Sequence, residues 1–156
     1  QDSYQYGLLM EAERMAVRKG YIRPSPIDTD IGAQLELLRK AGVESIFEEK
    51  PLSKEADRPE LRRALDSLCN GDTLFVASLD RLARTITELF YILEEIRRRG
   101  ANLESLKEQL KIEDDFIRHL GIIIDFERIS LLEWQRGKIE AKKSWRERGA
   151  GSKRQR

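Results

Sequence analysis

Asp80, Arg81 and Arg84 fall within five residues of one another, in the stretch SLDRLART at positions 78–85. Just before it runs DTLFVA (72–77), an apolar run with the composition of a buried strand. In α/β proteins ligand sites gather beyond the carboxyl ends of strands. A carboxylate and two guanidinium groups at such a place suit the gripping of a phosphate. A guanidinium's planar fork of donors matches two phosphate oxygens at once. Fixed positive groups in a partly dry site also stabilise the charge that phosphoryl transfer develops. Arg81 and Arg84 are three apart, so a helix starting near residue 80 puts them on one face. Asp80 then either holds one of them in place or takes part in proton transfer. The competing reading is a surface ion pair at a helix start, where Asp is a common cap.

Other routes to phosphate chemistry find less support. No carboxylate cluster has metal-site spacing. The single cysteine, Cys69, and single histidine, His119, do not make a structural zinc site. Neither a metal nor another cofactor is expected. One cysteine also excludes an internal disulfide and fits a reducing compartment. No apolar run is long enough to span a membrane and the N-terminus has no signal-peptide pattern, so a cytoplasmic, nucleoid-associated protein is expected, without membrane contact. Charged residues make up 37% of the 156 and hydrophobic residues 40%, which is the composition of a folded domain.

The elements that must position these groups alternate. AVRKGYIR (16–23) reads as a strand, weakened by Lys19 and Gly20. Residues 28–41 carry Ile31, Leu35 and Leu38 at helical spacing, with Asp28 or Asp30 as cap and Gly42 as the stop. VESIFEE (43–49) is a second strand. Asp57 caps a helix with Pro59 in its first turn and Leu61, Leu65 and Leu68 inward. DTLFVA is the third strand. Residues 85–99, with Leu89, Ile92, Leu93 and Ile96, form a helix ended by Gly100, and NLESL (102–106) is a short fourth strand. The fold expected is α/β, with a mostly parallel sheet of four to five strands and helices on both faces.

The last third departs from this alternation. Residues 114–148 contain no proline and read as one very long helix. Its first half is apolar nearly all round and must be covered on more than one side, which calls for a second subunit. His119 lies there as an interface or core residue. Its second half is polar and basic. From 136 to 156 there are nine Lys and Arg against two acids, a surplus of seven positive charges in a chain whose net charge is +1. Such a tail attracts polyanions, or else is a solvated end. The organisation expected is an N-terminal extension (1–14), an α/β domain (15–112), a long helix (113–148) and a basic tail (149–156).

Several segments in order carry a family pattern. GYIRPS (20–25) resembles the Tyr-x-Arg-x-Ser start of the serine site-specific recombinases, the resolvase and invertase family. DRPELRRAL (57–65), GDTLFVASLDRLART (71–85), RRRGANLESL (97–106) and FERISLLE (126–133) follow at close to the family's spacing. The resemblance implies a catalytic domain that cuts DNA through a serine nucleophile. Ser25 would attack the scissile phosphate and form a 5′-phosphoserine link. Arg23, Arg58, Arg81 and Arg84 would surround that phosphate, with Asp80 in the same pocket. Gln34 and Glu49 fall at supporting polar positions, and Arg128 on the long helix beside the site. The resemblance further implies a homodimer, a tetramer in the synapse, and double-stranded DNA followed by Arg136, Lys138, Lys142, Lys143, Arg146 and Arg148.

The chain also departs from the family. Pro24 and Pro26 flank Ser25, Ala83 stands where a glycine is usual, and Ser130 and Trp134 stand where basic residues are usual. No helix-turn-helix module is expected within these 156 residues, so sequence-specific DNA binding would need a further segment or a partner. The alternative to an active recombinase is therefore a resolvase-like dimeric DNA-binding or regulatory module with an impaired site.

Overall fold

The structure, a computed structural model, describes residues 15–25, 30–51 and 58–152, the last three as backbone only. Five strands form one sheet: β1 (Arg18–Ile22), β2 (Ser45–Glu48), β3 (Thr73–Val76), β4 (Asn102–Ser105) and β5 (Leu110–Lys111). Their spatial order is β2-β1-β3-β4-β5. The pairings among β1 to β4 are parallel, and β5 returns antiparallel to β4. The fold is α/β, as the alternation predicts, with the β5 hairpin as an addition too short for periodicity to reveal.

The order reverses between β1 and β3. The chain leaves β1 toward β2 on one side, then crosses back to β3 on the other. Such a reversal opens a crevice beyond the carboxyl ends of the two strands. Arg23 and Ser25 follow β1 there, and SLDRLART follows β3.

Helices cover both faces. Helix α1 (Gly32–Lys40) packs Leu38 against Ile22 and Phe75, with Leu35, Val43 and Ile46 around them. Gly20 shares that face. A Cβ on it would lie 3.0 Å from both Leu38 and Val43, so glycine here lets α1 approach the sheet rather than weakening the strand. Helix α2 (Pro59–Ser67) lies on the opposite face, where Lys19 reaches the carbonyl of Ser67. Helix α4 (Ile86–Arg98) sits beside α2, joined to it by the Arg62–Glu95 ion pair. It buries Leu89, Ile92, Leu93 and Ile96, the four residues its spacing marks. Each such side chain contributes on the order of 1.5–3 kcal/mol by leaving water.

Some boundaries differ from the sequence reading. Asp28 and Asp57 lie outside the described residues. Ile31 stands at the N-cap of α1 without a side-chain cap, while the Asp30 carboxylate accepts the Gly32 N–H at 2.8 Å. Arg58 stands at the N-cap of α2, ahead of Pro59. A four-residue helix, α3 (Leu79–Leu82), precedes α4 as a separate element.

The final helix, α5 (Asp114–Ser152), is continuous for 39 residues. The described residues up to Ile117 form one compact unit, and those from Arg118 a second. Within that second unit every residue from 125 to 149 is exposed. His119 is exposed as well, so it is not a core residue of this chain. Among the described residues no helix is long and apolar enough to cross a membrane.

Candidate active site

The site is built around the short helix α3. Ser78 at its start has extended backbone, and Ala83 at its end returns to extended backbone at φ −135° and ψ 152°. That conformation suits any residue, so alanine replaces the family's glycine without strain. The break at Ala83 also separates the two arginines. Arg81 is in α3, whereas Arg84 is in the link to α4, so they do not share one helix face as their spacing predicts.

Two arginines from distant parts of the chain bind the carbonyls of α3. Arg23, just past β1, donates from Nε to the Arg81 carbonyl at 3.1 Å and from Nη2 to the Asp80 carbonyl at 2.6 Å. Arg58, at the N-cap of α2, donates from Nη1 to the Leu82 carbonyl at 2.6 Å. A helix of one turn leaves its last carbonyls without intrahelical partners. Guanidinium forks satisfy three of them here. Arg23, Arg58, Arg81 and Arg84 are thereby brought to one place.

The electrostatics carry the mark of that convergence. Burial, and then the neighbouring Arg58, hold the Arg23 guanidinium below the usual arginine range, with Arg81 and Arg84 pushing the same way and Tyr21 opposing. Burial drives the Tyr21 phenol far above its ordinary value. Arg58 and Arg23 oppose this and Glu49 reinforces it, so the phenol stays neutral under the cluster.

Asp80 is mostly exposed. Its carboxyl is held below the ordinary range first by a hydrogen bond from Ser78, then by Arg81 and Lys107. Its Oδ2 lies 3.8 Å from Arg81 Nε, an ion pair rather than a hydrogen bond. Asp80 therefore does not clamp Arg81. That side chain is only 17% exposed.

The supporting residues take definite tasks. Gln34, buried in α1, donates from Nε2 to the Arg23 carbonyl at 3.0 Å and fixes the chain as it leaves β1. Glu49, 2% exposed at the end of β2, accepts the Leu61 N–H at 2.8 Å. It thus caps α2 from outside, which Arg58 at the N-cap cannot do. Ser25 is half-buried, two residues beyond Arg23 in the coil after β1.

Three contributors were given no role in the sequence reading, although Tyr21 opens the Tyr-x-Arg-x-Ser motif. Tyr21 lies beneath the guanidinium groups. Glu88, in the first turn of α4, takes Arg58 Nη2 on Oε1 and the Arg84 backbone N–H on Oε2 at 3.0 Å. Glu108, in the β4–β5 turn, accepts the Leu79 N–H at 3.2 Å and the Ser105 hydroxyl, and so caps α3. For Glu88 a local signal exists, since Thr85 and Glu88 have capping-box spacing and the Glu88 N–H donates to Thr85 Oγ1 at 3.1 Å.

Beside the cluster a groove of about 860 Å³ runs between α2 and α4, lined by Arg58, Arg84, Glu88, Leu65, Tyr91 and Ile92 among others. Among the described residues no group of His, Cys, Asp and Glu is placed to hold a metal ion.

The remaining marked residues lie on α5. Arg128 is exposed there and donates to Asp125 at 3.1 Å. Arg136, Lys138, Lys142, Lys143, Arg146 and Arg148 are all exposed. They are not evenly spread. Glu133, Glu140 and Glu147 recur every seven residues along one stripe, and Lys138, Lys142 and Arg146 lie opposite with Trp134 and Trp145. The Lys138 ammonium sits 3.6 Å from the Trp134 ring centroid.

Comparison with known proteins supports this reading of the fold. Residues 18–147 match the resolvase N-terminal domain, and the chain belongs to that family. It is 36% identical over 126 residues to a DNA-invertase of Escherichia phage P1, covering 78% of this chain and 68% of the relative. It is 38% identical over 118 residues to the serine recombinase gin of Escherichia phage Mu, covering 73% of this chain and 61% of the relative. The chain thus spans roughly two thirds of the length of these relatives. In fold it is similar to a resolvase-family site-specific recombinase from Streptococcus pneumoniae, with a TM-score of 0.64 at 18% identity over 83% of this chain and 99% of that one.

Proposed function

We propose that this chain is the strand-cutting and rejoining part of a site-specific DNA recombinase, with Ser25 as nucleophile. The observation that carries the reading is the gathering of Arg23 and Arg58 on the carbonyls of Asp80, Arg81 and Leu82, at the crevice where Ser25 and Arg84 also emerge. Its family relatives, a DNA-invertase and a serine recombinase by name, supply the substrate class.

The chemistry follows from the groups available. Ser25 Oγ attacks a backbone phosphorus and loses its proton as the O–P bond forms. The bond from phosphorus to the 3′ oxygen breaks, and that oxygen leaves as a hydroxyl after taking a proton. The guanidinium groups bear the charge on the non-bridging oxygens. One phosphodiester is exchanged for another, so resealing by a 3′-hydroxyl needs no energy source. Tyr21 stays neutral beneath the cluster, and Gln34 and Glu49 hold the ends of β1 and α2 in place. Asp80 remains ionised at neutral pH at the edge of the site, where it is available to accept a proton.

The long helix supplies partners. Ile122, Ile123, Phe126, Ile129, Leu131 and Leu132 are each more than half exposed within this chain, the surface a second copy is proposed to cover. Two such dimers holding two duplexes would form the synapse, with Arg128 at the cut strand. The cationic face beyond, with Lys138, Lys142 and Arg146, is proposed to follow the DNA backbone while the glutamate stripe faces away.

The test is a denaturing gel for a covalent protein–DNA adduct on site-bearing supercoiled DNA, with and without chelator. The unmodified chain is expected to form it in both. Ser25→Ala is expected to lower it by at least about a thousandfold while leaving DNA affinity unchanged. An adduct that survives Ser25→Ala refutes the nucleophile. Salt-sensitive binding with no adduct supports the impaired-module alternative instead.

A further inference from the structure

Glu88 is outside the residue set that the family resemblance implies, yet it touches two members of the cluster. Its Oε1 accepts from Arg58 Nη2. Its Oε2 accepts the Arg84 backbone N–H at 3.0 Å and lies 3.6 Å from Arg84 Nε. Its own N–H is fixed on Thr85 Oγ1, so the carboxylate projects from the rigid first turn of a 13-residue helix. The Arg58 side chain it holds is 10% exposed, and Glu88 itself is 27% exposed. The contact is therefore shielded from solvent, unlike the many surface pairs of this chain.

Guanidinium groups drawn together repel one another, and the state of Arg23 registers that repulsion. Arg58 meets it most directly. Its Nη1 is tied to the Leu82 carbonyl, a neutral dipole, which fixes its position without balancing its charge. The balancing charge on the groove side comes from Glu88. One carboxylate there spans two cationic residues that come from different elements, α2 and the α3–α4 link.

We propose that Glu88 is a positioning residue for the phosphate site, its carboxylate holding Arg58 and Arg84 in register so that DNA meets an assembled clamp. This rests on the reading of the cluster as a phosphate site. Glu88 does not touch the reacting atoms. It acts through the two arginines, and its loss lets Arg58 swing away from its like-charged neighbours into the groove. The effect falls on the cutting step and spares DNA affinity, which the basic helix supplies.

The experiment measures single-turnover adduct formation at saturating site-bearing DNA, DNA affinity and thermal midpoint for Glu88→Gln, Glu88→Asp and Arg58→Ala, singly and with Arg58→Ala combined with Glu88→Gln. Glu88→Gln keeps size and an acceptor but removes the charge. It is expected to slow the adduct by about tenfold or more, the range of residues that orient other active groups. DNA affinity should not change. Glu88→Asp, which keeps the charge, should retain more of the rate than Glu88→Gln even where the former is less stable. In the double variant the losses should combine to less than their product.

A folded Glu88→Gln protein that cuts at the normal rate or faster overturns the proposal, as does a fully multiplicative double variant or a Glu88→Asp slower than Glu88→Gln. Ser25→Ala run in parallel separates the two levels. An adduct that survives it, or none from the unmodified chain, refutes the functional reading and this inference with it. A failure confined to the Glu88 variants refutes the inference alone.

Discussion

The two ends of the sheet bury charge in opposite ways. At the amino end, Lys19 on β1 lies 3.2 Å from the Asp72 carboxylate and donates to the Ser67 carbonyl at 2.5 Å. Asp72, fully buried, also accepts the N–H groups of Val17 at 3.0 Å and Cys69 at 2.9 Å. Cation and anion meet, and their other capacity goes to backbone. At the carboxyl end, Arg23 and Arg58 donate to carbonyls, and the one carboxylate of Glu88 is shared by Arg58 and Arg84, so the gathered arginines outnumber it. The first arrangement closes a structure. The second concentrates positive charge that an arriving phosphate relieves. The contrast teaches that a buried charge marks a site when its hydrogen bonds are met but its charge is not balanced like for like.

Exchanging the damage between the two ends tests the comparison. Asp72→Ala leaves Lys19 buried without its counterion and is expected to destabilise the fold by about 3–5 kcal/mol. Urea unfolding measures this, and the fraction that remains folded should still cut DNA. Arg84→Ala should do the reverse. Its expected cost is roughly 10²- to 10³-fold in adduct formation, the range for removing one group that stabilises transition-state charge, with little change in the urea midpoint. Equal effects of both substitutions on stability would erase the distinction.

The smallest effect sharpens it. On the α2–α4 surface Arg62 bonds Glu95 and Asp66, and its hydrogen bond holds the Glu95 carboxyl below the ordinary range. A carboxyl depressed in the folded state adds stability at neutral pH, and that stability is lost as pH falls below the unfolded value through the folded one. The arginine is half exposed, so Glu95→Gln is expected to cost under about 1 kcal/mol at pH 7. The difference from the unmodified chain should vanish in acid. A pH series of unfolding midpoints checks the direction.

What was legible beforehand follows how local each cause is. Leu89, Ile92, Leu93 and Ile96 announce α4 because one helix face repeats within the segment itself. DTLFVA announces β3 because a strand covered on both faces is a continuous apolar run. The arginine set and Ser25 were marked through motif order alone, and the structure shows Arg23 and Arg58 meeting the backbone of residues 80–82. The rest depends on partners far along the chain. Glu49 caps α2 from 12 residues away and Glu108 caps α3 from 29 away, so neither carries a cap signature. Lys19 read as a blemish in a strand because its carboxylate lies 53 residues on, at Asp72. Gly20 read the same way because the helix that needs the space is a tertiary neighbour. Arg81 and Arg84 looked like a helical pair because nothing in the sequence of α3 shows that it stops at Leu82.

The most direct test of the central claim is the structure of this chain with a bound oxoanion such as vanadate or sulfate, or with a cut DNA end. The account predicts the anion within about 3 Å of guanidinium nitrogens from Arg81 and Arg84 and at least one of Arg23 and Arg58, with Ser25 Oγ turned toward it. An anion held elsewhere on the chain, with those guanidinium groups directed away from one another and from Ser25, would contradict it.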